Sequence, residues 1–409
     1  KQDIMSVILF LYLVVELLLL LFLCNKYRTP NAIVLSYIVF LLYAQSNYLD
    51  YLISGKSLID STTYFSLRFS INSFSYFLAS SCYFFFLFIF AFIGLFSENK
   101  IISKDFSGVS SHYLNSKNKI IILLCIIYTL YFHFLTFELD RASKKVFDLF
   151  SYDFLLFYYL FYSWGYELLY AKKKSFFFYL MTFVISLHTI LSFEREFIVL
   201  AGLFLLFKYK KYFKRFKILL ITSISFFIIN IWKQFYINVI IFSIPLKTFF
   251  NDLSFNQTFS SGETSTGMSL LINFFENNIY KDYYFSYLTN SFNQFFRVFV
   301  DSNYLSLAEF SSEYYTNSNM GTAFSMILES ILNFGYMGPL ILPFLIINSL
   351  KYLLKRNIYF TDFYSVFFIF LMLKLVRTEF TVLLKLYLLP FLCFVFLYNF
   401  LKKNKYFSK

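Results

Sequence analysis

Runs of nearly twenty apolar residues, separated by short polar stretches, recur along the chain, as in FSYFLASSCYFFFLFIFAFIGLF (74–96). A run of this length crosses a hydrocarbon core of about 30 Å as a helix. The runs do not alternate apolar with polar residues, as the strands of a membrane β-barrel do. The pattern therefore predicts an all-α polytopic membrane protein, a bundle in which each helix satisfies its own backbone polar groups. Spans are expected near 4–24, 31–52, 74–96, 119–137, 153–170, 176–192, 197–207, 218–240, 331–353, 361–376 and 380–401, about eleven, within a range of ten to twelve. Two are atypical: the second carries Gln45, Asn47 and Asp50, and the seventh is about two-thirds of a normal crossing. The first run lacks a small-residue cleavage site and is too long for a signal core, so it is expected to be a retained span.

Charge gives this pattern a direction. Only 14% of residues are charged, yet the net charge is +13. Lys and Arg are concentrated in loops that follow alternate runs: Lys26 and Arg28, Lys100 to Lys119, Lys172 to Lys174, KYKKYFKRFK (208–217), Lys351 to Arg356, and KKNKYFSK at the C-terminal end. Positive-inside topology accounts for them, so nucleic acid is not an expected partner; the lipid bilayer is. The C-terminus is then cytoplasmic and the N-terminus outside. The chain divides into an N-terminal bundle (1–240), one large extracytoplasmic loop or cap (241–330), and C-terminal spans with a cytoplasmic tail (331–409). The cap opens with an irregular Asn/Ser/Thr/Gly stretch and continues into an aromatic amphipathic segment near 283–310. Cys24, Cys82, Cys125 and Cys393 have no paired spacing, and no His/Cys/Asp/Glu grouping resembles a metal site. No metal and no cofactor is expected.

Against this background the outer-face charges stand out. Ionisable groups at membrane depth cost about 2.5 kcal/mol or more at the bilayer centre and usually face a cavity. SFEREF (192–197) and VRTEFT (376–381) each lift an Arg beside a Glu to the outer end of a helix hairpin, a weak internal echo. Arg195 and Arg377 occupy those apices and Arg297 lies on the aromatic segment of the cap. A guanidinium presents a fork of donors that matches phosphate oxygens, so a lipid diphosphate is a natural partner at that depth. The plainer account of Arg195 is an ion pair with Glu194 or Glu196. His188 lies seven residues before Arg195, two turns away on one face. A packing role is the plainer account of His188, and His133 is a weaker candidate still. Arg141, Lys144 and Lys145 read as a solvated loop face. Glu16, Lys374 and Lys385 read as snorkelling groups or cavity liners.

The most specific stretch is GTAFSMILESILNFGYMGPLI (321–341). Its Gly321, Ser325, Glu329, Asn333, Phe334, Gly335 and Gly338 resemble the G...S...E...NFG..G signature of the O-antigen and capsule repeat-unit polymerases, the Wzy type. SFEREFIVLAG is similar to the mid-chain Arg motif of that family, although the paired Arg-x10-Gly pattern of one branch is missing, since Leu206 stands eleven residues after Arg195. The resemblance implies a GT-C-like, metal-independent glycosyltransferase of the bacterial inner membrane. It would join undecaprenyl-diphosphate-linked oligosaccharide units on the outer leaflet, with a polysaccharide chain-length regulator as a possible partner. Arg195, Arg297 and Arg377 would bind the leaving diphosphate, and Glu329, or else Glu194 or His188, would act as base. Ser325, spaced i, i+4 from Glu329, could orient its carboxylate. The alternative for Glu329 is an ion pair that holds the cap.

Rival expectations are an O-antigen ligase and a lipid-linked oligosaccharide flippase or other transporter. A ligase is expected to carry a His in the large outer loop, and 241–330 contains none. A transporter needs no large cap, and the paired Gly/Pro-interrupted helices of an inverted-repeat carrier are missing from the spans.

Overall fold

A computed structural model describes residues 2–27, 31–54, 73–97, 116–136, 153–171, 173–192, 195–212, 243–252, 325–356, 361–376 and 383–403, with isolated positions between 217 and 275. No strand occurs among the described residues. The helices are α1 (Gln2–Lys26), α2 (Ala32–Ser54), α3 (Ser73–Phe96), α4 (Ser116–Leu135), α5 (Asp153–Tyr170), α6 (Phe176–Ser192), α7 (Arg195–Lys208), α8 (Leu246–Asp252), α9 (Met326–Phe334), α10 (Gly338–Arg356), α11 (Thr361–Leu375) and α12 (Leu389–Lys403). Among the described residues, the stretches Val7–Lys26, Phe74–Phe96, Asn118–Leu135 and Met326–Lys355 are long and apolar enough to cross a membrane, while Ala32–Ala44 and Phe176–Leu191 are shorter apolar helices. Each expected run coincides with a helix except 218–240, which lies almost wholly outside the described residues, as do most of the cap and its aromatic segment.

The chain folds as two compact units, each assembled from separate segments. The first comprises Lys1–Lys100, Phe213–Leu353 and Met372–Thr381; the second comprises Ile101–Tyr212, Leu354–Leu371 and Val382–Lys409.

In the first unit α1, α2 and α3 pack against one another. Phe40 sets its ring edge-on to Phe86 and Phe90 at 5.0 and 5.3 Å, and Tyr12 stacks on Phe84 at 4.0 Å. Glu16 is fully buried in this trio, and its backbone carbonyl accepts the Tyr37 hydroxyl at 3.0 Å. The last carbonyls of α3 have no intrahelical donors, and side chains from the end of α1 supply them. Lys26 donates to the carbonyls of Leu95 and of Ser97 (2.6 Å), and the Tyr27 hydroxyl donates to Gly94 at 2.8 Å.

Where a single span from 331 was expected, the structure holds a broken helix. α9 starts at Met326, gives way at Gly335 to a 3₁₀ turn (Gly335–Met337), and α10 resumes at Gly338. Gly335 has φ 63°, a backbone region that a side chain disfavours. A Cβ on Gly338 would collide with the carbonyl of Ser330. The two glycines therefore make the break, one by conformation and the other by close approach.

In the second unit α5 is the hub, packed on α4, α6, α7 and α12. Its Tyr162 is enclosed by Phe363, Phe367, Phe391 and Phe394, and Phe367 stacks on Phe391 at 3.4 Å. The Trp164 indole N–H donates to Thr182 of α6 at 2.9 Å. Buried hydroxyls on these helices bond to the carbonyl one turn back, as Thr129 does to Cys125 and Ser163 to Tyr159, both at 2.8 Å. Gly165 lets α7 approach, because a Cβ there would collide with the Phe204 ring, at 2.4 Å from its nearest carbon.

The C-terminal end of α5 is capped from two directions. Lys174 donates to the carbonyls of Glu167 (2.7 Å) and Leu168 (3.0 Å), and Lys208 donates to Leu169 at 3.0 Å. Ammonium groups here satisfy orphan carbonyls and meet the negative end of the helix dipole. The Glu167 carboxylate accepts the Ser175 N–H at 2.9 Å, and Lys210 pairs with Asp362 of α11 at 3.1 Å.

Two outcomes are expected. Gly165→Ala should destabilise the folded chain by roughly 1–3 kcal/mol through overpacking. Gly202→Ala, which meets nothing within 4 Å, should be neutral or stabilising by up to about 1 kcal/mol; thermal unfolding in detergent compares the two. Burial and then the Lys208 ammonium push the Lys174 amine from its ordinary 10.5 down to about 8, with Glu167 opposing. Folding then releases a proton from this group within that window, so its contribution to stability rises with pH there. The wild type should gain melting temperature relative to Lys174→Met between pH about 8 and about 10.5, and a constant gap would mean that the carbonyls keep the amine near its ordinary value.

Candidate functional site

One end of the second unit gathers polar groups from four helices. α4 and α6 finish there, α5 and α7 begin there, His133 lies in the last turn of α4, and His188 lies four residues before the end of α6. His133 Nε2 and His188 Nδ1 are 2.8 Å apart and both residues are buried. One nitrogen must donate and the other accept, so the pair shares a single proton along this bond. The His188 ring is stacked on Phe157 of α5 at 3.6 Å, and Phe197 of α7 meets its edge at 5.3 Å. These contacts hold the imidazole from two sides.

α7 opens at Arg195, so the first N–H groups of a 14-residue helix emerge at this end. A helix start of this kind favours negative charge. In the first turn Glu196 accepts the Tyr387 hydroxyl, at 3.2 and 3.4 Å to its two carboxylate oxygens. Tyr387 lies in a π-helical turn, Leu384–Leu388, directly before α12. Pro390 explains the wide turn: it has no N–H to donate to Leu386, and Leu389 reaches back instead to Leu384. Tyr158 connects the cluster, with ring contacts to Phe197 at 5.6 Å and Tyr387 at 6.1 Å.

The first unit holds a separate cluster around the start of α9. Ser325 is its N-cap, and the hydroxyl accepts the Leu328 N–H at 3.4 Å and lies 3.3 Å from the Tyr83 hydroxyl. Glu329 is buried in the first turn, where a carboxylate suits the helix dipole. The Asn333 side chain donates to the Glu329 backbone carbonyl at 3.0 Å. The Ser325 hydroxyl thus serves the backbone, and its carbonyl accepts the Glu329 N–H at 2.9 Å.

Of the residues singled out from the sequence, Ser325 and Glu329 lie together in the first unit. His188 and the helix position of Arg195 both lie in the second unit, but on different helices, since α6 ends at Ser192 and α7 starts at Arg195, so the single face expected from their seven-residue spacing is not formed. Glu194, Arg297 and Arg377 lie outside the described residues. Sequence reasoning missed the partnership of His133 with His188, which are 55 residues apart, and the part played by Tyr387 and Tyr83. No local signal marks either tyrosine among 36. Pro390 shortly after Tyr387 was the available hint of an irregular turn. Among the described residues no group of three or more His, Cys, Asp or Glu is placed to hold a metal ion. Comparisons with family models, curated proteins and solved structures found no match.

Ser325→Ala should cost roughly 1 kcal/mol of stability through the lost cap, and Ser325→Gly only a few tenths. Unfolding in detergent checks this, and equal losses for the two variants would deny the hydroxyl its capping role.

Proposed function

We propose that the chain is a polytopic inner-membrane glycosyltransferase that joins lipid-diphosphate-linked oligosaccharide units on the outer leaflet, in the manner of a Wzy-type polymerase. The observation that carries this reading is the α6–α7 hairpin. It sets Arg195 at the first position of a helix whose first turn packs on a buried histidine pair through Phe197. Cation, helix start and proton-accepting side chains are what the reaction asks for.

In that reaction an acceptor sugar hydroxyl attacks the anomeric carbon of the donor chain. The bond from that carbon to the diphosphate oxygen breaks, and its electron pair leaves with the diphosphate. Arg195, with Arg297 and Arg377, binds the departing diphosphate and stabilises its growing charge. The hydroxyl proton goes to a base drawn from Glu329, Glu194 and His188. Support also comes from the lysine-capped opposite end of α5, which agrees with a cytoplasmic face there. The proposal includes about eleven spans, a large outer cap from 241 to 330, and a cytoplasmic C-terminus.

The test uses purified protein in nanodiscs with lipid-diphosphate oligosaccharide units from its host, and resolves the products on a gel. A ladder of integral repeats is expected from the wild type, and Arg195→Ala should lower its rate by roughly 10²–10³-fold without lowering the melting temperature. Units that stay unjoined, or that cross a vesicle bilayer unjoined, would sink the polymerase reading in favour of a transporter.

A further inference from the structure

The His133–His188 bond constrains how either ring handles a proton. A neutral imidazole has one N–H and one bare nitrogen. If His133 Nε2 donates, the proton of His188 sits on its Nε2 and the ring can only give a proton to a third group. If His188 Nδ1 donates, its Nε2 is bare and the ring can take one. With Nδ1 committed at 2.8 Å to His133, proton exchange with any third group runs through Nε2 in both cases.

We infer that His133 is a positioning residue: it accepts the His188 Nδ1–H, fixes the tautomer in which His188 Nε2 is bare, and so makes His188 the base for the acceptor sugar hydroxyl. This rests on the polymerase reading. The acceptor oxygen bonds to the anomeric carbon, the diphosphate leaves with its electron pair, and the hydroxyl proton moves to Nε2. The resulting imidazolium still donates through Nδ1, and the bond to His133 strengthens because its donor is now charged. His133 thereby does for His188 what an orienting third group does in a nucleophile–base–orienter arrangement.

Several observations favour this over packing alone. Any buried imidazole needs a hydrogen-bond partner, and here the partner is a ring nitrogen that the functional reading also uses. Here the pair joins α4 to α6, both rings are buried, and water competes little for the bond. Phe157 at 3.6 Å and Phe197 at 5.3 Å limit rotation of His188, so its Nε2 has a fixed aim. Phe197 is two residues after Arg195, the first residue of α7.

The test begins with ¹⁵N-labelled histidine. The chain has only three histidines, so His112, His133 and His188 can be assigned by substitution. In nanodiscs at neutral pH the wild type should show His188 protonated at Nδ1 and bare at Nε2. His133→Gln keeps an acceptor and should preserve both this signature and the polymerisation rate to within a few-fold. His133→Leu should move the His188 proton to Nε2 and lower kcat by roughly 10²-fold, with KM nearly unchanged. A wild-type His188 protonated at Nε2 overturns the inference, as does a leucine variant with unaltered tautomer and rate. Equal loss of folded protein in both variants assigns His133 a structural role and also overturns it. If the wild type makes no polymer, the polymerase reading fails and the sugar hydroxyl falls as proton source; the nitrogen signals separately decide whether His133 sets the tautomer.

Discussion

Helix ends are the points at which an apolar chain cannot look after itself. Within a helix each N–H finds a carbonyl four residues back, but the last carbonyls have no partner, and in a hydrocarbon setting water does not stand in. The structure meets this need with lysines. Lys26 closes α3, and Lys174 and Lys208 close α5, each from a neighbouring segment. The same residues belong to the basic clusters from which the sequence predicts a direction in the membrane. Each of these charges completes a helix through hydrogen bonds from outside it.

The same requirement governs polar groups inside the bundle. Isolated hydroxyls such as Thr129 and Ser163 turn back on their own helix, which makes them cheap to bury. Larger polar groups need a partner from elsewhere. His133 finds His188, Trp164 finds Thr182, and Glu196 finds Tyr387. In the last case the partner comes from a π turn that Pro390 forces on the backbone. Among the described residues, one such pairing lies at the end where α7 begins.

The motif at 321–341 has a plain backbone logic alongside any chemistry. Ser325 caps α9, Gly335 supplies a left-handed residue, and Gly338 makes room for the Ser330 carbonyl. These requirements fix three of the positions on which the family resemblance rests. Glu329 is a different matter, because a helix break can be built without a carboxylate. Its place in the first turn of α9 suits the helix dipole.

The fold class was legible in the sequence because helix length and apolar composition are local properties. Every run long enough to predict a helix has one wherever the structure describes it, and the short seventh run is the 14-residue α7. The broken span at 335–338 was half legible, since two glycines flank it, yet a close approach to Ser330 has no local sign. Candidate residues were chosen one at a time: His188 and Arg195 for their shared face, and Ser325 and Glu329 for their spacing. What the sequence by itself determined was which stretches are helices and which ends carry positive charge, because both follow from neighbours along the chain. Only the tertiary structure decided that His133 meets His188, that Tyr387 meets Glu196, and that Tyr83 meets Ser325. Those outcomes depend on which helices pack together and at what register, and hydrophobic patterning leaves that open because every apolar face suits every other about equally well.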